Sequence, residues 1–285
     1  MNYNYNENST EHDKMLPFLE QKLLTEVARY RNPAVAFSAG IDSTLVLAAT
    51  AKIHGKQCLA VMIKNEAVPQ REVEEARSIA DFLGCSLIVA EIDVLTLPPV
   101  ARNDKDRCYH CKTAMLRKIM EIGAEHGCSI VLDGSNLDDK DQYRPGSVAA
   151  KEAGIASPLQ NAGLCKTNVR ILAKRWGLNN WQKPSSPCLL TRFPYHMTDA
   201  ITGEMITSIG QGEEFLRGIC ERDVRLRWAG PNKARIEVTE EEMAAVLEQR
   251  QAIRTALRRL GFTEVTLDLA PYASGSFDRK EDISR

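Results

Sequence analysis

The stretch PAVAFSAGIDSTLVLAAT, residues 33–50, runs from a short apolar segment through Ser38-Ala39-Gly40 into a second apolar segment that begins after Asp42-Ser43-Thr44. The first segment has the length and composition of a buried strand, and the second has those of a helix. A small-residue loop between them can turn backbone N–H groups toward an anion, and the helix N-terminus adds a favourable dipole. The hydroxyls of Ser38 and Ser43 supply further donors for phosphate oxygens, and Asp42 offers a carboxylate to a metal ion or a cap. The competing reading is a plain strand-to-helix turn with Asp42 or Ser43 as N-cap. Ala39 is expected to sit at an ordinary negative φ with its methyl turned away, because left-handed geometry costs a residue with a Cβ about 1–2 kcal/mol.

Working outward, strands are expected at 34–38, 58–63, 86–92 and 129–134, with helices at about 43–54, 71–84 and 109–126 between them and an amphipathic helix over MLPFLEQKLLTEVARYR before them. That alternation predicts an α/β fold, a parallel sheet covered by helices on both faces, with ligands at the carboxyl ends of its strands. Ser38, Glu66, Asp93 and Asp133 would lie near that edge. From residue 184 the pattern changes: WQKPSSPCLLTRFPYHMTD has three prolines and little periodicity. Beyond it a helical stretch, two alternating strands (223–228 and 233–238), one long helix ending at Gly261 and a last strand predict a smaller α+β domain. The chain thus divides into a polar leader (1–15), a first domain (16–183), a linker loop carrying Cys188 (184–198) and a C-terminal domain for substrate binding and oligomerisation (199–285).

Composition narrows the function. With 37 basic and 38 acidic residues the net charge is close to zero, which argues against bulk attraction to nucleic acid or anionic membrane. No apolar run reaches the roughly 20 residues that span a bilayer. The polar opening is unlike a secretory or transit peptide, and eight cysteines without a signal peptide fit a reducing, cytoplasmic setting. Cys58, Cys85, Cys128 and Cys220 lie in or beside apolar stretches, as small hydrophobes do. Cys108, Cys111 and Cys188 stand in polar surroundings instead, in RCYHCK and KPSSPC. Two thiolates three residues apart and a distant third can hold one iron–sulfur cluster, and nearby Arg107, Lys112 and Arg192 would favour thiolate. A dithiol, a zinc site with His110 as a further ligand, or a fortuitous C-x-x-C are the alternatives. In the smaller domain Arg225 and Arg227 share one strand face, Arg235 on the next strand can join them, and guanidinium forks suit phosphate and carboxylate.

SAGIDST closely resembles the S-G-G-x-D-S loop of the PP-loop ATP pyrophosphatases, with Ala39 in place of the second glycine. LDGSNLDDKDQYRPG (132–146), LQNAGLCKTNVRILAKRWGL (159–178) and KPSSPCLLTRFPY (183–195) narrow the resemblance to the LarE family, the ATP-dependent sulfur transferases of lactate racemase maturation and nickel-pincer nucleotide synthesis. It runs from about residue 20 to 275 with order and spacing kept. The resemblance implies an enzyme that uses ATP and Mg2+ to adenylate a carboxylate of a pyridinium dicarboxylate mononucleotide, then replaces AMP by sulfur. Sulfur comes in some members from the cysteine matching Cys188, and in others from a [4Fe-4S] cluster on three cysteines; this chain, with Cys108, Cys111 and Cys188, resembles the latter. It further implies Ser38, Ala39, Gly40, Asp42, Ser43, Thr44, Asp133 and Arg144 around ATP, with Asp42 and Cys188 catalytic. Arg225, Arg227 and Arg235 would meet the substrate, Glu213 and Glu237 would hold a divalent ion, and the assembly would be a homo-oligomer. Ala273 stands where relatives commonly carry arginine, which would weaken substrate binding or alter which substrate fits. A cluster-dependent tRNA thiolase and a nucleotide-binding module without catalysis are the other readings; the near-neutral charge opposes the first, and the alanines at 39 and 273 motivate the second.

Overall fold

A computed structural model describes residues 9–139, 145–184 and 187–272. In chain order its elements are α1 (Ser9–Ala28), β1 (Pro33–Ala36), α2 (Ile41–His54), β2 (Leu59–Lys64), α3 (Gln70–Leu83), β3 (Ser86–Glu91), α4 (Pro98–Ala101), α5 (Arg107–Glu125), β4 (Ile130–Leu132), α6 (Pro145–Glu152), α7 (Pro158–Asn161), α8 (Lys166–Arg175), α9 (Gly203–Arg217), β5 (Val224–Gly230), β6 (Lys233–Val238), α10 (Met243–Glu248), α11 (Arg250–Arg259) and β7 (Glu264–Leu267). They form two compact units. One comprises the described residues within Met1–Asn65, Gln70–Ile92 and Cys108–Ser186, and the other those within Glu66–Pro69, Asp93–Arg107 and Pro187–Arg285. Among the described residues no helix is long and apolar enough to cross a membrane.

The first unit is the expected α/β fold: a parallel sheet in the order β3-β2-β1-β4. Its inner strands are near-continuous apolar runs, PAVA and the LAVMI of β2, because both faces are covered. Ala34 pairs with Leu59 on one side and Val131 on the other, so β1 is central. Leu59, Val61, Val131, Leu116, Ile119 and Ile122 fill one core between the sheet and α5. Helix α2 is buried almost all round, as its unbroken apolar run Leu45–Ala49 requires. Helix α1 begins at Ser9, so residues 9–15, expected to belong to a frayed leader, are helical.

The second unit carries a sheet in the order β5-β6-β7, antiparallel then parallel. One face, with Val224, Leu226, Ala234 and Ile236, is buried and apolar. Helix α9 reaches this face at Gly212, where a Cβ would lie 2.4 Å from the Leu226 Cδ2 and 2.8 Å from the Leu257 Cδ2. The other face carries Arg225, Arg227, Arg235 and Glu237. The single long helix expected up to Gly261 is instead broken at Gln249 into α10 and α11. Between Val246 and Ile253 no residue is buried, so nothing holds a continuous helix across that span.

Candidate active site

The sheet order reverses between β1 and β4, and in open α/β sheets the crevice beyond the carboxyl ends at such a reversal takes the ligand. The loop Ser38-Ala39-Gly40 leaves β1 at that point and the turn Asp133-Gly134 leaves β4. Gly40 is the N-cap of α2 and makes no side-chain cap, which removes the reading with Asp42 or Ser43 as N-cap. The orphan N–H groups of the first turn are therefore not taken up by a side-chain cap. Ser38 is exposed, and its hydroxyl lies 3.1 Å from that of buried Ser43. The Ser43 and Thr44 hydroxyls both donate to the Gly40 carbonyl, at 3.0 and 2.9 Å.

Ala39 does not follow the expectation set for it. Its φ is +56° and it is fully buried. The chain direction required to turn from β1 into α2 outweighs the steric cost to alanine, and the loop's carbonyls are held by donors from elsewhere in the unit.

Asp133 is buried and takes hydrogen bonds from the Ser135 N–H (3.1 Å), the Ser135 hydroxyl (2.8 Å) and the Ser157 hydroxyl (2.8 Å). It orders the β4 turn. Next to it Gly134 lies against the start of α2, where a Cβ would sit 2.7 Å from the Ser43 nitrogen. Asp42 takes a hydrogen bond from the Asn136 amide at 3.2 Å and pairs with the Lys166 ammonium. Gly134, Asn136 and Lys166 escaped the sequence reading. Lys166 lies inside the stretch LQNAGLCKTNVRILAKRWGL, but only the fold shows that it meets the loop. Arg144 and Ala273 lie outside the described residues.

Cys108 and Cys111 occupy the first turns of α5, one exposed and one half-buried, and Cys188 is exposed at the N-cap of a 3-10 turn, Leu189–Arg192, in the second unit. None of the three is in a disulfide, and Cys58, Cys85 and Cys220 are buried. Within either unit, no three His, Cys, Asp or Glu side chains of the described residues converge as metal ligands. Thiols three apart on one helix turn, unbridged and reachable, are nevertheless the donor type a cluster needs. Glu66 and Asp93 go with the second unit, where burial and the Asp93 carboxylate push the Glu66 carboxyl up.

The segment after Cys188 is anchored by charge. Arg192 grips Glu213 with two hydrogen bonds, 2.7 and 2.9 Å, and both side chains are only 3% exposed. Arg192, expected to neighbour the Cys188 thiol electrostatically, is thus turned inward onto a carboxylate. Glu213 also accepts from Arg217 (2.8 Å) and the Leu226 N–H (3.3 Å). Burial alone would raise its carboxyl, but the hydrogen bonds and charge of Arg192, aided by Arg225 and Arg217, outweigh burial and hold it at about 2. On the charged sheet face Arg227 stands opposite Arg235, and both pair with buried Glu237, at 2.8 and 3.0 Å. Arg227 also donates to the Thr191 carbonyl, and Arg225 lies over the Tyr272 ring. The three arginines do share one face, as expected. The carboxylates of Glu213 and Glu237 are engaged by arginine in this structure.

The uncapped helix at the reversal point of this sheet defines the class: an α/β protein of the PP-loop type, with the small-residue loop that gives that class its name. No protein-family profile matches the chain. Over 242 residues it is 37% identical to the pyridinium-3,5-bisthiocarboxylic acid mononucleotide synthase of Lactiplantibacillus plantarum, covering 85% of this chain and 87% of that protein. It is 34% identical over 248 residues to an uncharacterised protein of Synechocystis, covering 86% of this chain and 91% of that one. A weaker likeness, 28% over 155 residues, reaches the argininosuccinate synthase of Natronomonas pharaonis and covers 51% of this chain and 39% of that enzyme. The chain belongs to the family of pyridinium-3,5-bisthiocarboxylic acid mononucleotide synthases.

Proposed function

We propose that this protein is an ATP-dependent sulfurtransferase acting on pyridinium-3,5-dicarboxylate mononucleotide. A substrate carboxylate oxygen attacks the α-phosphorus of ATP and pyrophosphate leaves; sulfur then adds to the activated carboxyl carbon and AMP leaves, giving a thiocarboxylate. The observation that carries the reading is the start of α2, without a side-chain cap at the reversal point of the sheet and with Lys166 paired to Asp42 beside it. In this reading Ser38 and the N–H groups from Ala39 to Ser43 receive the phosphates, while the Ser43 and Thr44 hydroxyls, which donate to the Gly40 carbonyl, brace the loop rather than meet the nucleotide. Lys166 offsets the charge that grows on departing pyrophosphate. Mg2+ would arrive with ATP, and Asp42 is the carboxylate that would meet it.

In the second unit one sheet face carries Arg225, Arg227 and Arg235, paired with Asp223, Glu237 and Asp268. That face suits a substrate with a phosphate and two carboxylates. Cys108, Cys111 and Cys188 are the thiols that would hold a [4Fe-4S] cluster, as the family resemblance implies. When bound, it would supply the sulfur nucleophile.

The test is oxygen-free purification, assay of iron and sulfide, and pyrophosphate release with the dicarboxylate mononucleotide as acceptor. Stoichiometric iron and sulfide, with release that depends on the acceptor, are expected. Iron-free protein that transfers sulfur while Cys188 loses its own, seen by mass, would replace the cluster with a sacrificial cysteine. No release with this acceptor would overturn the proposal.

A further inference from the structure

We infer that Asn180 and Lys183 are positioning residues that hold the phosphate loop in shape by gripping the carbonyl of Ala39. The inference rests on the reading of that loop as the ATP site. An alanine at φ +56° persists only where its surroundings over-determine it. Here two donors converge on its carbonyl: the Asn180 Nδ2 at 3.2 Å and the Lys183 Nζ at 3.2 Å. Across a trans peptide the Gly40 N–H points opposite to that carbonyl. Fixing the oxygen inward therefore turns the next N–H toward the crevice.

The chemistry of each group fits this task. Asn180 is buried, and its Nδ2 also donates to the Thr44 hydroxyl at 2.9 Å. That hydroxyl gives its own proton to the Gly40 carbonyl, so Nδ2 faces two acceptors and the amide can sit only one way round. The Asn180 Oδ1 is buried with no hydrogen-bond partner among the described residues, so the amide is held for what it donates. A lysine ammonium has three N–H donors. Those of Lys183 meet Glu72 at 2.6 Å, Glu75 at 2.5 Å and the Ala39 carbonyl, which leaves none for phosphate. Lys183 acts on the loop rather than on the nucleotide.

Residues 178–183 form the strap that carries both grips. Gly177, at φ +72°, ends α8 and turns the chain toward α2. Arg170 of α8 then clamps two strap carbonyls, of Trp181 at 2.7 Å and Lys183 at 3.0 Å. The strap is thus fixed independently of the loop it supports.

A double-mutant cycle tests this on the full-length protein with Mg-ATP as probe. Asn180→Ala should weaken ATP binding about tenfold, the usual scale of a lost buried hydrogen bond that orders a site. In the Ala39→Gly background the loss should shrink to about threefold or less, because glycine keeps φ > 0 without strain once the grip is gone. Unfolding of the ATP-free protein should couple with the opposite sign. Asn180→Ala raises the unfolding constant less with alanine at 39 than with glycine, by about fivefold, because releasing the grip relieves the left-handed alanine. Lys183→Met should repeat both signs. Equal losses in the two backgrounds, within about twofold in both assays, would make Asn180 a packing residue only and overturn the inference. Should the wild type bind no ATP, the loop's reading as an ATP site fails, while the unfolding cycle still decides whether the grip exists.

Discussion

Replacing Glu213 by glutamine removes one charge from the anchor beneath Cys188, and its cost follows from the geometry. The native carboxyl lies at about 2 against an ordinary 4.5. A group depressed in this way binds fewer protons in the folded than in the unfolded state. Its stabilisation is complete above about pH 4.5 and is lost as the pH falls toward 2, for a total of about 3 kcal/mol. The glutamine variant loses that pH-dependent contribution. It also leaves Arg192, 3% exposed, without a counter-charge, a situation that typically costs 3–5 kcal/mol, so a loss of about 3 kcal/mol or more is expected at pH 7. Trp228, packed between Phe193 and Phe262 at ring distances of 5.9 and 6.1 Å, reports on this unit. In a Trp176→Phe, Trp181→Phe background it is the last of the three tryptophans, and urea unfolding can be followed by its fluorescence from pH 7 to pH 2.5. The difference between wild type and Glu213→Gln should narrow as the pH drops below 4.5, and Glu213→Gln with Arg192→Met should recover much of the loss at neutral pH. A difference of less than about 1 kcal/mol at pH 7, or one that stays constant down to pH 2.5, would refute the argument that the pair is a buried, carboxylate-dependent anchor.

Three further outcomes bear on the site. Gly134→Ala would drive a methyl to within 2.7 Å of the Ser43 nitrogen, so a stability loss of about 1–3 kcal/mol and weakened ATP binding are expected from thermal unfolding and titration; wild-type affinity would show that the β4 turn does not abut the loop. Asp42→Asn breaks the charge pair with Lys166 and should slow pyrophosphate release by about 100-fold with the fold intact by circular dichroism; unchanged release would remove Asp42 from catalysis. Cys188→Ala should abolish sulfur transfer while leaving ATP binding at the wild-type level, measured by thiocarboxylate formation and nucleotide titration; wild-type turnover would exclude Cys188.

The elements that build the first sheet were legible because each announces itself within a dozen residues. PAVA and LAVMI are apolar throughout, α3 ends at a glycine, and the strands alternate with helices. The smaller sheet was legible for the same reason, from the alternation in DVRLRW and KARIEV, which also put the three arginines on one face. What local pattern does not carry is pairing over distance. The excursions 66–69 and 93–107 join the second unit although their neighbours in sequence build the first, and the prolines at 69, 98 and 99 break the pattern without showing where the chain goes. Glu213 and Glu237 entered as acids that the resemblance implies for a divalent ion, and nothing in a strand or helix pattern shows which arginine will fold onto them.

The loop shows the same limit most sharply. Its residue types pointed to an anion site, yet the conformation of Ala39 could not be read from them, and the negative φ expected for it was wrong. Local sterics favour negative φ for alanine, and they do so correctly when the chain is free to choose. The opposing contribution comes from Asn180, 141 residues further on, and Lys183, 144 residues on, whose hydrogen bonds exist only in the folded unit. A steric preference of about 1–2 kcal/mol is within reach of two such bonds, each worth about 0.5–1.5 kcal/mol and more where the donor is charged. An alanine in place of the second glycine is therefore compatible with a working loop on condition that the strap persists. The same alanine on a chain lacking Asn180 and Lys183 would argue for a damaged one.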